Sequence, residues 1–408
     1  MMLGLLLARA GVDVLVLEKH ADFLRDFRGD TIHPSTLEVV HELGALDEFL
    51  TLPHERAHEL RARFGDVAAV VADFQHLPVR CPFIAFMPQW DFLDFLARRA
   101  AAHPAFRLRM RAEVTGLLEE HGRVVGVEAV TPEGPLRVRA DLVVAADGRD
   151  SVLRARAALP VDTLGAPMDV LWFQLPRASA DPVAPMGRFE PGRIFITLNR
   201  GAYWQCGFVI AKGSLPALRA RGLDGLRAEV ARLAPYAAPR VGAIRTWDDV
   251  RLLTVQVDRL RRWYRPGLLC IGDAAHAMSP VGGVGINLAI QDAVAAANRL
   301  AAPLAARRVG IDDLRAVQRR REWPTRITQR LQLVVQRRVI APVLATRASL
   351  SPPLFFRLVA QLPVLRRLAG RLIGLGVRPE HLRAPARPAA GATRPPPARR
   401  APDTRGTS

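Results

Sequence analysis

Three stretches of this chain place acids and glycines where an apolar strand gives way to a helix. The longest, residues 267–292, reads GLLCIGDAAHAMSPVGGVGINLAIQD. An apolar strand would end at Gly272-Asp273. A loop holding Pro280, Gly282, Gly283 and Gly285 would follow, and a helix would begin near Ile286-Asn287. Glycine lets the backbone approach a ligand closely. A helix N-terminus presents unpaired N–H groups and positive potential to electron-rich atoms. A glycine loop without function accounts for neither Asp273 nor Asn287 around it.

The second stretch is Asp147-Gly148-Arg149-Asp150-Ser151-Val152-Leu153-Arg154, a DGxxSxxR pattern after the apolar run at 142–145. Asp-Gly makes the turn, Ser151 can cap the helix, and Arg154 sits one turn further in. A routine strand-to-helix turn would need only the Asp-Gly pair. The third stretch is at the beginning. Residues 3–10 read as a helix ended by Gly11, residues 12–17 (VDVLVL) as a buried parallel strand, and Glu18 stands at its C-terminal end. A dinucleotide fold needs a strand, a glycine-rich turn, a helix, a second strand and an acid. Here the helix, the second strand and the acid are present, and Gly4, Gly11 and Glu18 are spaced as in the last part of GxGxxGxxxG(x)6G(x)6E. An ordinary helix–strand pair with a surface glutamate would read the same way.

The elements that must position these groups follow from periodicity. A helix is expected around 36–50 after Pro34-Ser35, and an amphipathic one over 88–102. Runs at 107–118, 124–130 and 136–145, separated by His121-Gly122 and Pro132-Glu133-Gly134, predict a β-meander. From about 161 to 250, alternating segments at 169–175, 193–198 and 203–210 predict an antiparallel sheet with one face open to a substrate. Residues 286–301 predict an alanine-rich helix. Basic, apolar helices are expected from 314 to about 375, broken by Pro324, Pro342, Pro352, Pro353 and Pro363, ahead of a disordered Pro/Ala/Arg tail.

The bulk properties bound the class. With 408 residues the chain is long enough for about two domains. It contains no run of 18 or more apolar residues, so a spanning helix is not expected. Its three cysteines, Cys81, Cys206 and Cys270, are far apart and offer neither a metal spacing nor a disulfide framework, which fits a reducing cytoplasm. The net charge of +19 invites a nucleic-acid reading. Yet almost all the basic residues are arginines, only Lys19 and Lys212 being lysines, and no nucleic-acid-binding motif is present. Attraction to an anionic membrane surface suits this composition better than nucleic acid does. Residues 331–375 pair apolar runs with arginines, which suits packing onto the body or shallow peripheral membrane contact.

On the three motifs and their order, the sequence resembles the FAD-binding monooxygenases typified by para-hydroxybenzoate hydroxylase and the ubiquinone-biosynthesis hydroxylases, over roughly residues 1–325. The resemblance implies an α/β fold: a Rossmann-like FAD-binding domain, an antiparallel β-sheet substrate domain and C-terminal helices. Residues 1–52, 88–160 and 251–325 would form the first, 53–87 and 161–250 the second, and 326–378 the helices, with 379–408 as the disordered tail. Glu18 would bond the adenosine ribose, and Asp273 the ribityl chain or pyrophosphate. Gly285, Ile286 and Asn287 would face the pyrimidine side of the flavin, and Pro280 its reactive face. Asp147 and Gly148 would serve the pyrophosphate region and the nicotinamide cofactor. Arg28, in RGDTIHPSTLEVV, resembles an arginine that touches FAD; Gln89 a glutamine near the ribityl chain; Val114 a residue whose backbone meets adenine. A surface arginine, a helix cap and a core valine are their plain alternatives.

The implied reaction is hydroxylation of an aromatic or related small molecule with NADPH or NADH and O2, through a flavin C4a-hydroperoxide. His33 and His276 are candidate proton relays, although a lone histidine is more often structural. The rivals are a flavin reductase or halogenase on the same fold, a non-catalytic remnant, and a basic membrane- or nucleic-acid-binding protein; the halogenase motif WxWxIP is absent. The sequence departs from the family at its start, where the first strand and its GxGxxG are missing, and a start codon placed too late is the expected reason. The substrate, the choice of NADH or NADPH and the oligomeric state stay open.

Overall fold

The computed structural model describes residues 1–24, 31–182, 186–348, 350 and 352–383. The helix Met2–Arg9 ends where Gly11 takes a positive φ of 80°, and the chain enters the strand Val14–Leu17. That strand pairs in parallel with Phe106–Arg109. A second small sheet sets Val143–Ala145 parallel to Leu268–Cys270, with Tyr264–Arg265 antiparallel at its edge. The helices Met2–Arg9, Gln89–Ala101 and Gly285–Ala305 close over these strands in one apolar core that holds Trp263, Phe92 and Phe95. This half is α/β with parallel pairing, as expected for dinucleotide folds.

The second half is a seven-stranded sheet. Its order is Arg251–Leu253, Met168–Pro176, Tyr203–Ala211, Arg193–Asn199, Met186–Glu190, Glu59–Phe64 and Val67–Asp73. Pairing is antiparallel except where Met186–Glu190 runs parallel to Glu59–Phe64. Those two strands come from distant parts of the chain, so no hairpin forces them to run in opposite directions. Alternation along the strands gives the sheet two apolar faces. Leu171, Phe173, Phe195 and Phe208 pack under the helix Gly222–Leu233. Val170, Trp172, Ile194 and Ile196 face the other way.

Several expectations need correction. The helix around 36–50 is two, Pro34–Glu42 and Leu46–Leu50, divided at Gly44 with φ +67°. The run at 107–118 is broken at Arg111, which takes φ +53°, so its two parts join different sheets. The run at 136–145 likewise supplies Gly134–Arg139 to a three-stranded meander and Val143–Ala145 to the parallel sheet. Pro324 does not break its helix: Ile311–Val335 runs through it. Residues 379–383 are not part of a disordered tail. Glu380 is buried and bonds Arg320, Arg321 and Gln291, and His381 bonds Glu42 at 2.5 Å. The rest of the expected tail lies outside the described residues.

The helices Leu354–Gln361 and Pro363–Gly374 pack on the outer strand Val67–Asp73. A Cβ on Gly370 would come within 1.9 Å of the Asp73 carbonyl oxygen, so the helix approaches the strand backbone at a distance only glycine permits.

Candidate functional site

The two halves enclose one cavity of about 2190 Å³. Ligand sites usually span about 300–1,000 Å³, so this one can hold a dinucleotide-sized cofactor and a further molecule together. Glu18, Gln89, Val114, Asp147, Gly148, Asp273, Pro280, Gly285 and Ile286 all line it. They come from residues 18 to 286 and are brought together from strand ends, a helix start, a meander strand and the glycine loop. Asn287 does not line the cavity. Its Oδ1 accepts from the His33 backbone N–H at 3.0 Å and the Thr36 hydroxyl at 2.7 Å, and its Nδ2 donates to the Thr31 carbonyl at 3.2 Å. The side chain therefore ties the start of helix Pro34–Glu42 to the glycine loop. Arg28 lies outside the described residues.

The glycine loop is shaped by its sequence. Gly282 and Gly283 have φ of +79° and +63°, and the loop delivers the chain into helix Gly285–Ala305 with no side chain capping its first turn. The N–H groups of Gly285 and Ile286 belong to the turn that has no intrahelical acceptors, and both residues face the cavity. An uncapped helix start against a cavity is a ready seat for an anionic or electron-rich group.

Asp273 stands at the beginning of the same loop, with 30% of its side chain reachable by solvent and the Arg149 guanidinium 3.3 Å away. Burial pushes its carboxyl up, and Arg149 and His276 pull in the opposite direction without cancelling that shift. Asp147 organises the second motif: its carboxylate accepts from the Ser151 hydroxyl at 2.5 Å and the Leu153 N–H at 3.2 Å, while Ser151 caps the N–H of Arg154. Gly148 has φ +87° and open space where a Cβ would be. Glu18 receives the His20 N–H at 3.0 Å. Arg149 escaped the sequence reading, although it lies inside the DGRD motif. Trp172 carried no signal at all, being one of many alternating strand residues. It lines the cavity, and its buried indole N–H has no acceptor among the described residues.

Neither candidate relay faces the cavity. His33 is fully buried, its Nδ1 is 2.7 Å from the Ile373 carbonyl, and desolvation depresses it to about 4. His276 is buried against Asp292, with 2.6 Å between Nε2 and Oδ2. Asp292 also accepts from Gly272 N–H and from Arg321 Nε, each at 3.0 Å. This cluster braces the strand end that carries Asp273.

Two strand edges also border the cavity. Val14–Leu17 pairs only with Phe106–Arg109, and Val143–Ala145 only with Leu268–Cys270, among the described residues. Val14, Val16, Val143 and Val144 line the space between them.

Residues 1–330 match the family described as FAD binding domain, and the chain belongs to that family of flavoproteins. It is 34% identical over 372 residues to 6-methylpretetramide 4-monooxygenase of Streptomyces rimosus, covering 90% of this chain and 88% of the relative. It is 28% identical over 318 residues to dialkyldecalin synthase of Streptomyces rugosporus, covering 74% of this chain and 63% of that one. Its fold is similar to that of p-nitrophenol 4-monooxygenase PnpA from Pseudomonas putida DLL-E4, with a TM-score of 0.73, 20% identity, and 92% and 96% of the two chains covered. The protein is an FAD-dependent oxidoreductase of the monooxygenase type, for which NADPH or NADH is the reductant.

Proposed function

We propose that this chain hydroxylates a polycyclic aromatic ring, with FAD held along the α/β half and the ring lying against the sheet. The observation that carries the reading is the single cavity shared by the motif residues and the apolar sheet face. The cofactor's fit rests on the uncapped helix start at Gly285, the open ground at Gly148 and the carboxylates Glu18 and Asp273 spaced around one cavity. Glu18 would bond a ribose, Asp273 the ribityl chain or pyrophosphate, and Asp147 with Gly148 the pyrophosphate region. Gln89 and Val114 would border the ribityl chain and adenine. Gly285 and Ile286 would offer N–H groups to the pyrimidine edge, where the helix dipole favours negative charge. Bound FAD supplies the redox chemistry with O2 and NADPH or NADH.

The protein's own part is placement and exclusion of water. Trp172, Ile194 and Ile196 form an apolar wall on which a fused ring can lie flat, and the free indole N–H of Trp172 can donate to a ring oxygen. Pro280 and Val281 also line the cavity. The likeness to a monooxygenase named for 6-methylpretetramide supports a substrate of that kind. Peripheral contact with a membrane belongs to the same reading, since an apolar ring would partition there.

The test is turnover by the full chain supplied with FAD, NADPH or NADH and 6-methylpretetramide. The expected product is one oxygen heavier, with ring-dependent NAD(P)H oxidation. Flavin binding without any ring-dependent oxidation would favour a second reading, a flavin-bound scaffold that does not hydroxylate. The likeness to a synthase is what supports that alternative, because one fold hosts several reactions.

A further inference from the structure

Between Glu322 and Glu380 the chain has no acidic residue and ten arginines. The same stretch holds nine of the sixteen large hydrophobic side chains that are exposed among the described residues. Trp323, Leu331 and Val334 lie on helix Ile311–Val335, Leu354 and Leu358 on Leu354–Gln361, and Val364, Leu368 and Leu372 on Pro363–Gly374, with Leu362 between the last two. Scattered exposed apolar side chains are ordinary; more than half of them within about a seventh of the chain are not. The exposure is large: 72% at Leu354, 71% at Val364 and 57% at Val334.

The charged neighbours are equally one-sided. Arg330, Arg337, Arg338, Arg357, Arg367 and Arg371 are exposed, and none of them pairs with a carboxylate among the described residues. Elsewhere some exposed arginines find partners, as Arg139 does with Glu120 and Arg137 with Glu128, while others such as Arg262 and Arg307 do not among the described residues. This surface also borders the cavity. Leu331, Val334, Arg338 and Leu372 are exposed and line it at once, so the cavity opens there.

We propose that this face docks on an anionic lipid surface, with the leucines and valines seated at the headgroup boundary, the arginines against the lipid phosphates and the cavity mouth turned toward the bilayer. Charge selects lipid as the occupant: exposed apolar side chains and unpaired arginines on a stretch with no acid of its own match an anionic leaflet on both counts. No helix among the described residues is long and apolar enough to cross a membrane, so the segments would lie on the surface. Only the idea that a ring enters from the bilayer rests on the flavin reading; the docking stands without it.

The experiment is co-sedimentation of the full chain with phosphatidylcholine vesicles, with and without phosphatidylglycerol. Binding to the anionic vesicles alone is expected. Each arginine near such a surface is worth about 1 kcal/mol, or roughly fivefold. Arg357→Glu with Arg367→Glu should therefore weaken the partition coefficient at least about thirtyfold. Val364→Asp with Leu368→Asp tests the apolar part and should also abolish sedimentation; both residues are exposed, so folding is spared. Replacing Arg387, Arg394, Arg399, Arg400 and Arg405 by glutamine should leave binding in place. The proposal is overturned if no vesicle binds, if binding follows the Arg387–Arg405 substitutions instead, or if the face variants only turn a dimer into a monomer in sedimentation velocity. Flavin content is read separately. A colourless protein that sediments sinks the flavin reading alone, and a yellow one that stays in solution sinks the docking alone.

Discussion

Asp292→Asn is the substitution with the most to say about how the site is held. Asp292 is fully buried and collects Gly272 N–H, His276 Nε2 and Arg321 Nε, and Arg321 is itself only 2% exposed. Burial by itself pushes the Asp292 carboxyl up, but His276 and Arg321 outweigh it, and the net direction is down. An amide of the same shape keeps one acceptor and turns an NH2 toward one of the three donors. It also leaves Arg321 with Glu380 alone, 3.3 Å away. Removing one partner of a buried ion pair costs about 3–5 kcal/mol, a large share of a total stability near 5–15 kcal/mol. At about 2 °C per kcal/mol for a chain of this size, the melting temperature should fall by roughly 6–10 °C. Differential scanning calorimetry with the full chain reads this directly. Arg321→Met added to Asp292→Asn should recover part of the loss, because the cation that lost its nearer partner is then gone. Because Asp292 brackets the turn at Gly272, flavin affinity should fall along with stability. A carboxyl depressed in the folded state contributes stability that is complete above its unfolded value, about 3.9, and lost as pH falls below that. The gap between the native chain and Asp292→Asn should therefore close only under strongly acidic conditions. A melting temperature within about 2 °C of the native chain at neutral pH would refute the reasoning.

His33, held neutral in the folded state at about 4 against an unfolded value near 6.5, contributes stability that is complete above pH 6.5 and lost as pH falls to 4. That window is worth about 3 kcal/mol, and His33→Gln should flatten the pH dependence of melting across it. Asp273→Ala removes a charged acceptor worth about 1.5–3 kcal/mol, so FAD titrated against the variant should bind at least about tenfold more weakly; equal affinity would show the loop is misassigned. Trp172→Phe keeps the wall and removes the indole donor, so KM for a ring substrate should rise severalfold while flavin content stays level. The open edges of Val14–Leu17 and Val143–Ala145 should accept a parallel strand, so fusing a short valine-rich strand and a GxGxxG turn ahead of Met1 should raise flavin retention. An unchanged flavin-to-protein absorbance ratio in the fusion would remove that idea.

Much of the α/β half was readable because its signals are local. Gly11 stops its helix by its own backbone freedom, and VDVLVL announces a buried strand wherever it lies, whereas the stop at Gly44 was passed over. The glycine loop was readable because only close approach explains several glycines beside Asp273. What escaped depends on partners far along the chain. The parallel pairing of Met186–Glu190 with Glu59–Phe64 leaves no trace in either segment. Pro324 looks like a breaker in isolation, yet packing of the helix on both sides carries it through. Asn287 resembled a cofactor contact by position, but its amide is saturated by Thr31, His33 and Thr36, some 250 residues earlier. Arg149 and Trp172 gained their interest only from where the fold put them.

The contact between Glu380 and Arg321 also fixes an order of events. During synthesis the helix Ile311–Val335 can fold against Gly285–Ala305 well before residue 380 leaves the ribosome. Until then Arg321 has a single buried counter-ion, and Gln291 lacks the backbone N–H it later accepts from Glu380. The last described residues then tie the glycine-loop helix to helix Pro34–Glu42, through Gln291, Asn298 and Glu42. The lock on the glycine-loop helix is therefore the last of these contacts to form, which leaves an interval in which a bulky cofactor can settle into a half that is built but not yet locked.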